Sequence, residues 1–330
     1  MTLRVAMLSR WHVHANEYCN AIRNNDDADV VAIWDEIPER GSAWAKEVGV
    51  PFEGNYADLL SSNDVDAVCV VSPTNMHRDI MVEAAQAKKH IFTEKVLTTT
   101  VREAREVVAA VEANNVTFCI SFPRRCLPEL LYAKQAVESG LVGDITLVRI
   151  RIAHAGSSRD WLPSHFYDPV ACGGGAMMDL GAHGMYLARW LAGTPKRVVS
   201  VFSNITERAV EDNAVSVIEF ESGAIAVNET SFVAYPDSYS LELDGTEGGV
   251  RMLSPRDGVE LRSDHVDEKG WRKIADLPSR TASPIEQWIS GCVRGTAIDF
   301  GLAEAVELTE LMDAAYRSQQ QVSSADVEFA

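Results

Sequence analysis

The sequence predicts an α/β protein, an N-terminal doubly wound parallel sheet of Rossmann type followed by an α+β domain with a mostly antiparallel sheet. Three observations carry this expectation. The first third alternates short, apolar, β-branched segments with helical patterns, the order that builds a parallel sheet with right-handed crossovers. After about Ser121 strands dominate, and several alternate apolar and polar residues, as an antiparallel sheet with one wet face does. The 330 residues, 46% hydrophobic and 24% charged, suffice for two such domains. The boundary is expected between residues 121 and 122, giving domains 1–121 and 122–330.

The expected strands of the first domain are Arg4–Leu8, Asp29–Trp34, Ala67–Val71, His90–Thr93 and Thr117–Ser121. Between them lie helical patterns over Ala15–Asn24, Pro38–Val48, Arg78–Lys88 and Val101–Asn114. The strands carry few polar residues, as expected where helices cover both faces of a sheet. The second domain opens with a helix over Glu129–Ser139. Strands follow at Ile145–His154, Arg197–Asn204, Asn213–Phe220, Ala224–Phe232 and Ser238–Asp244. A long helix over about Ala176–Leu191 interrupts them, and the region Pro284–Gln320 is helical again.

Composition bounds the partners. A net charge of −18 disfavours nucleic acid, which needs clustered Lys and Arg, and also disfavours anionic membrane surfaces. No apolar run is long enough to cross a bilayer, and no secretory leader is evident. The six cysteines show no C-x-x-C spacing, so a zinc ribbon or thioredoxin-type site is not expected. A reducing cytoplasm is the expected location.

The turn after the first strand is where a dinucleotide fingerprint G-x-G-x-x-G would sit. Its glycine positions hold Ser9, Trp11 and His14. Taken alone, that substitution argues against a nucleotide. Other segments argue for one. Asp35, at the end of the second strand, lies about 20 residues beyond the turn, where an acid can bind the ribose hydroxyls and repel a 2′-phosphate. That favours NAD over NADP, although a solvated acid ahead of the helix at Pro38 is the plainer reading. Ser72-Pro73-Thr74-Asn75-Met76-His77 follows the third strand, at the sheet end where α/β proteins bind ligands. Ser72, Thr74 and Asn75 can contact ribose or pyrophosphate, or cap the next helix; both roles are compatible. Glu94 and Lys95 follow the fourth strand, where Lys95 alone reads as a surface lysine. His12 and His14 form an H-x-H pair, but no further ligand stands nearby in sequence, so no metal is expected.

The strongest constellation is Gly173-Gly174-Gly175-Ala176-Met177-Met178-Asp179-Leu180-Gly181-Ala182-His183. Asp179 and His183 are four apart and share a helix face. A carboxylate near a histidine orients the ring and favours its protonated form. The Gly, Ala, Met and Leu neighbours indicate a buried or cleft setting.

Together these segments resemble the glucose–fructose oxidoreductase/inositol dehydrogenase (Gfo/Idh/MocA) family over nearly the whole length. Glu94-Lys95-Val96 is similar to its E-K-P motif, with Val for Pro. Asp179 and His183 after the glycine lead match its D-x-x-x-H motif. Ser72–His77 resembles its T-P-x-x-x-H segment, and Gly245-Thr246-Glu247-Gly248 its late G-T-x-G turn. The resemblance implies a Rossmann domain and a C-terminal domain on a large, mostly antiparallel open sheet, often the interface of a homodimer or homotetramer. It also implies a cleft where Lys95, Asp179 and His183 converge on nicotinamide and substrate.

Implied with it is an NAD(P)-dependent dehydrogenase acting on a sugar, polyol or related polyhydroxy compound. Alcohol oxidation sends a hydride to the cofactor and leaves the protein to move a proton. His183 is the expected general base, Lys95 the stabiliser of the reacting oxygen, and Asp179 the residue that orients His183 or holds a neighbouring hydroxyl. The cofactor set is Ser9, Arg10, Trp11, His12, His14, Asp35, Ser72, Pro73, Asn75, His77, Glu94 and Lys95. Arg10, His12 and His14 are expected to assist the turn's amides at the pyrophosphate. Trp11 must point away, stack beside the cofactor or weaken binding. The resemblance also offers Arg124, Trp161 and His165 as substrate contacts, though the latter two serve equally as anchors of an aromatic loop. Two other readings stay open: a redox-neutral, NAD-dependent glycoside-cleaving enzyme, and a non-catalytic sugar or nucleotide sensor.

Overall fold

The computed structural model describes residues 2–267 and 269–321. In chain order the first elements are β1 (Leu3–Leu8), α1 (Ala15–Arg23), β2 (Ala28–Trp34), α2 (Pro38–Val48), α3 (Tyr56–Ser61), β3 (Ala67–Val70), α4 (His77–Gln86), β4 (His90–Thr93), α5 (Val101–Asn114) and β5 (Phe118–Ile120). Then come α6 (Pro128–Glu138), β6 (Ile145–Ala153), α7 (Pro169–Cys172), α8 (Ala182–Ala192), β7 (Pro195–Ser203), β8 (Asn213–Phe220), β9 (Ile225–Ser231) and β10 (Ser238–Gly245). The chain continues through β11 (Gly248–Met252), β12 (Glu260–Ser263), β13 (Arg272–Lys273), α9 (Pro284–Arg294) and α10 (Leu302–Gln321).

The protein is α/β, with a five-stranded parallel sheet of order β2-β1-β3-β4-β5 and an eight-stranded sheet of order β13-β12-β11-β10-β6-β9-β8-β7. The first is the doubly wound arrangement the βαβα pattern predicts. Its strands are buried on both faces, Val5, Met7, Val68, Val70, Ile91 and Phe92 among them. The second sheet is antiparallel at every pairing but β6 with β9.

The chain divides into two compact units. The first comprises Met1–Cys126, Val170–Gly173 and Thr281–Thr309, and the second Leu127–Pro169, Gly174–Arg280 and the chain from Glu310. Sequence order predicts a single boundary at 121/122, whereas the units interleave. The cause is α9, which packs against β1, β4, β5 and α1 of the Rossmann sheet. Its Ile285, Trp288 and Ile289 are buried, and the Trp288 ring lies 5.6 Å from that of Phe92. A capping box starts this helix, with Ser283 and Glu286 each accepting the other's backbone N–H and Pro284 in the first turn. Gly295, at φ 68°, ends it and splits the expected continuous C-terminal helix in two.

In the second unit, one face of the large sheet is covered and carries Val148, Ile150, Ile218 and Ala226 in its buried core, with α8 against β6 and β9. The opposite face exposes Leu147, Val199, Val201, Val215, Val217 and Ile225. These residues stand opposite one another across the ladder, Val199 by Val217, Val201 by Val215 and Leu147 by Ile225.

Candidate active site

The first unit brings the turn after β1 together with the residue that follows β4. Ser9 takes φ 78°, the left-handed conformation that glycine usually supplies at this point of the turn. The backbone amides of the turn are spent inside the protein. Ser9 N–H donates to the Trp34 carbonyl, Arg10 N–H to Asp35 Oδ2, Trp11 N–H to Ser9 Oγ, and His12 N–H to the Val71 carbonyl. Trp11 is buried, at 7% exposure. The Arg10 guanidinium pairs with Glu47 at 2.9 Å and lies 5.6 Å above the Trp44 ring.

Asp35 is buried, and its carboxylate is already engaged. It accepts backbone N–H bonds from Arg10 and Ile37 at 2.8 Å each. It also holds the Arg40 guanidinium, with Nη2 2.8 Å from Oδ1 and Nε 2.9 Å from Oδ2. Arg40 further donates to Glu36 at 2.6 Å. Arg40, five residues beyond Asp35, was recoverable only by asking what a buried acid pairs with.

Glu94 is the centre of the second cluster. Its Oε2 lies 2.9 Å from His14 Nδ1 and 3.7 Å from His12 Nδ1, and accepts the Tyr18 hydroxyl. Its Oε1 accepts the Lys95 N–H at 2.9 Å. Burial pushes the carboxyl up, but His12, His14 and Lys95 outweigh it and hold Glu94 well below the usual carboxylate range. Burial and the same carboxylate push the Tyr18 phenol well up. Lys95 itself is 5% exposed, so it is not the surface lysine its isolated sequence position resembles. The Lys95–Val96 peptide is cis.

The segment after β3 is divided. Ser72 Oγ is buried with no hydrogen-bond partner among the described residues. Pro73 is buried and Asn75 exposed. His77 is 1% exposed, with Nδ1 2.9 Å from the Val96 carbonyl and Nε2 3.1 Å from the Ser72 carbonyl. Burial pushes its pKa down. It thereby ties the loop after β3 to the loop after β4. Arg124, half-buried, sits in the short helical turn Pro123–Cys126 of the same unit.

The second unit holds Asp179 and His183. Asp179 lies in a π-helical turn, Met177–Gly181, which runs into α8 at Ala182. His183 is buried, and its Nδ1 lies 3.0 Å from the Tyr186 hydroxyl, a partner that sequence spacing leaves open. Glu211 secures the start of this segment. Its Oε1 accepts the N–H of Gly175 (2.9 Å) and Met177 (3.1 Å) and the Tyr316 hydroxyl (2.7 Å). The approach explains two of the three glycines. A Cβ on Gly174 would stand 1.9 Å from the Tyr316 hydroxyl oxygen, and one on Gly175 2.0 Å from the Glu211 carbonyl oxygen.

Trp161 is 54% exposed, its ring 4.6 Å from that of His154. The His154 ring also stacks on Phe232 at 5.1 Å. Burial lowers the His154 pKa against the opposing pull of Asp179 and Asp237. His165 packs beside Phe166, which belongs to a small core with Leu162, Tyr167, Ala176, Val210 and Phe232. The loop is thus anchored by aromatics, and it also presents Trp161.

Residues 12–122 match the oxidoreductase family with an NAD-binding Rossmann fold, and residues 130–251 match the Gfo/Idh/MocA C-terminal domain. The chain is 35% identical to the uncharacterized oxidoreductase YrbE of Bacillus subtilis over 69% of its length and 67% of that protein's. The chain belongs to the Gfo/Idh/MocA family. It is therefore an oxidoreductase built on an NAD-binding Rossmann domain. Within the family, it is 30% identical to the myo-inositol 2-dehydrogenase of Thermotoga maritima, covering 76% of this chain and 75% of that one. A levoglucosan dehydrogenase solved with NADH and levoglucosan shares the fold, at a TM-score of 0.86 and 21% identity, covering 97% of this chain and 98% of that one.

Proposed function

We propose that this Gfo/Idh/MocA oxidoreductase oxidises a secondary hydroxyl of a small polyhydroxy compound, a sugar or polyol, with NAD as hydride acceptor. The observation that carries this reading is the chemistry retained at two positions. A buried lysine follows β4, and a buried histidine with a hydroxyl partner follows the Asp179 turn. The family's inositol and sugar dehydrogenases support the substrate class. The bound nicotinamide supplies the hydride chemistry. Lys95 stabilises negative charge developing on the substrate oxygen. His183 takes the hydroxyl proton, its ring held by Tyr186, and Asp179 orients the ring or holds a neighbouring hydroxyl. Arg124, Trp161 and His165 are proposed substrate contacts.

A dinucleotide suits the turn through side chains rather than amides. The orphaned Ser72 Oγ, exposed Asn75, and Arg10, whose partner Glu47 is 57% exposed, are donors free to turn toward phosphate and ribose. Asp35 supports NAD over NADP, while its ion pair with Arg40 weakens that preference. We further propose a cytoplasmic homodimer or homotetramer formed through the exposed valine-rich face of the large sheet, without nucleic-acid or membrane partners. Cys19, Cys69, Cys119 and Cys292 are free thiols, which suits a reducing compartment, and no described helix is long and apolar enough to cross a membrane.

The test is a panel of sugars and polyols assayed with NAD and with NADP, following release of reduced cofactor, beside calorimetric titration of both cofactors. The expected result is turnover of at least one polyol with net NADH release. Substrate cleavage without released NADH points instead to redox-neutral glycoside chemistry, and undetectable binding of both cofactors removes the dehydrogenase reading altogether.

A further inference from the structure

We infer that His12, His14 and Glu94 form a binding site for a transition-metal dication of the zinc class, a role in place of the dinucleotide contacts expected of these three residues. Glu94 supplies the third ligand that the H-x-H pair lacks in its own stretch of sequence. One ligand atom from each residue lies within 4.8 Å of the others. The shared point is Glu94 Oε2, 2.9 Å from His14 Nδ1 and 3.7 Å from His12 Nδ1. A tetrahedral ion with bonds of about 2.0–2.1 Å sets its ligand atoms roughly 3.3–3.4 Å apart, between those two distances.

The ligands are built rather than incidental. His12 is 6% exposed and Glu94 3%. The Glu94 carboxylate is fixed at both oxygens, Oε1 by the Lys95 N–H and Oε2 by the Tyr18 hydroxyl, which itself lies 2.8 Å from Ser121 Oγ. Such outer partners hold metal-binding side chains in orientation. His12 Nδ1 accepts the His14 N–H at 3.3 Å, so that nitrogen carries the ring's lone pair rather than its hydrogen. Two imidazoles and one carboxylate suit Zn²⁺, Co²⁺, Ni²⁺ or Mn²⁺, whereas Ca²⁺ and Mg²⁺ require oxygen donors. Three protein ligands leave a fourth position for water or an anionic oxygen. With the ion on Nδ1, the His14 ring carries its hydrogen on Nε2, and the ion takes the place of the contact between His14 and Glu94.

The experiment is equilibrium dialysis of chelator-stripped, full-length protein against Zn²⁺, with Co²⁺ as the coloured substitute. Wild type is expected to retain one equivalent, with the intense visible bands of four-coordinate Co²⁺. His14→Ala and Glu94→Gln are each expected to bind about 10-fold more weakly or worse. His265→Ala, which removes the exposed His265–Glu247 pair, is expected to bind as wild type. His14 is 33% exposed, so His14→Ala serves as the decisive variant if burial makes Glu94→Gln misfold. A measurement without substitution accompanies it: Zn²⁺ should protect His14 of wild type from diethyl pyrocarbonate, read by mass spectrometry. The inference is overturned if wild type retains no stoichiometric ion, if His14→Ala retains as much as wild type, or if His14 is modified equally with and without Zn²⁺.

Discussion

At Asp35 a carboxylate that would otherwise repel a 2′-phosphate is neutralised by a guanidinium already in its fork. Arg40→Ala leaves that acid bare. The ratio of kcat/KM for NAD over NADP is then expected to rise about tenfold, equivalent to ~1.4 kcal/mol. Steady-state kinetics with both cofactors checks this, and an unchanged ratio would remove Arg40 from cofactor choice. Lys95→Met keeps the aliphatic stem in its buried place but removes the ammonium. Loss of one group stabilising a developing oxyanion is expected to lower kcat by about 100-fold or more, with the far-UV circular dichroism of the folded protein unchanged. Near-normal turnover would exclude Lys95 from the chemistry. The sequence marked Asp35, Lys95, Asp179 and His183 as candidates because each sits at a fixed offset from a strand end or a glycine run. It hid Arg40, Tyr186, Glu211 and the joining of His14 to Glu94, because those depend on side-chain directions and on contacts across 80 residues of chain.

Among the elements, the Met177–Gly181 turn depends most on its neighbours. Its leading amides are held by one carboxylate oxygen of Glu211, and its leading glycines are pressed against Tyr316 and the Glu211 backbone. Gly175→Ala drives a methyl into a carbonyl that cannot move without dislodging Asp212 and the start of β8. Overpacking of this kind costs about 1–3 kcal/mol, so Tm is expected to fall by ~5 °C in calorimetry, with kcat falling beside it. An unchanged Tm would mean that the Glu211 backbone yields freely. The longer elements were readable because their apolar period runs for several residues; α2, α5 and β8 match their expected limits residue for residue. The short α3, β12 and β13 have too few residues to establish any period and are stabilised by their neighbours instead. The π turn was likewise invisible, since its sequence reads as ordinary helix.

For the whole molecule, the exposed valines of β7 and β8 form the surface expected to be covered by a second copy. Val201→Lys places a charge on that face, at its edge strand. Light scattering after size exclusion is expected to show an oligomer for wild type and a smaller species for the variant. A monomeric wild type would leave the face without that role. The interleaving of the two units has a different consequence, which concerns synthesis. Trp288 and its helix complete the floor beneath Phe92, yet they are made about 160 residues after Cys126. A ribosome delivering the chain from its N-terminus therefore exposes the five Rossmann strands well before their last covering helix exists. Nascent chains arrested at residue 126 should accordingly be digested by protease far faster than chains arrested beyond residue 309, so that the first part of the protein to be made is among the last to become complete.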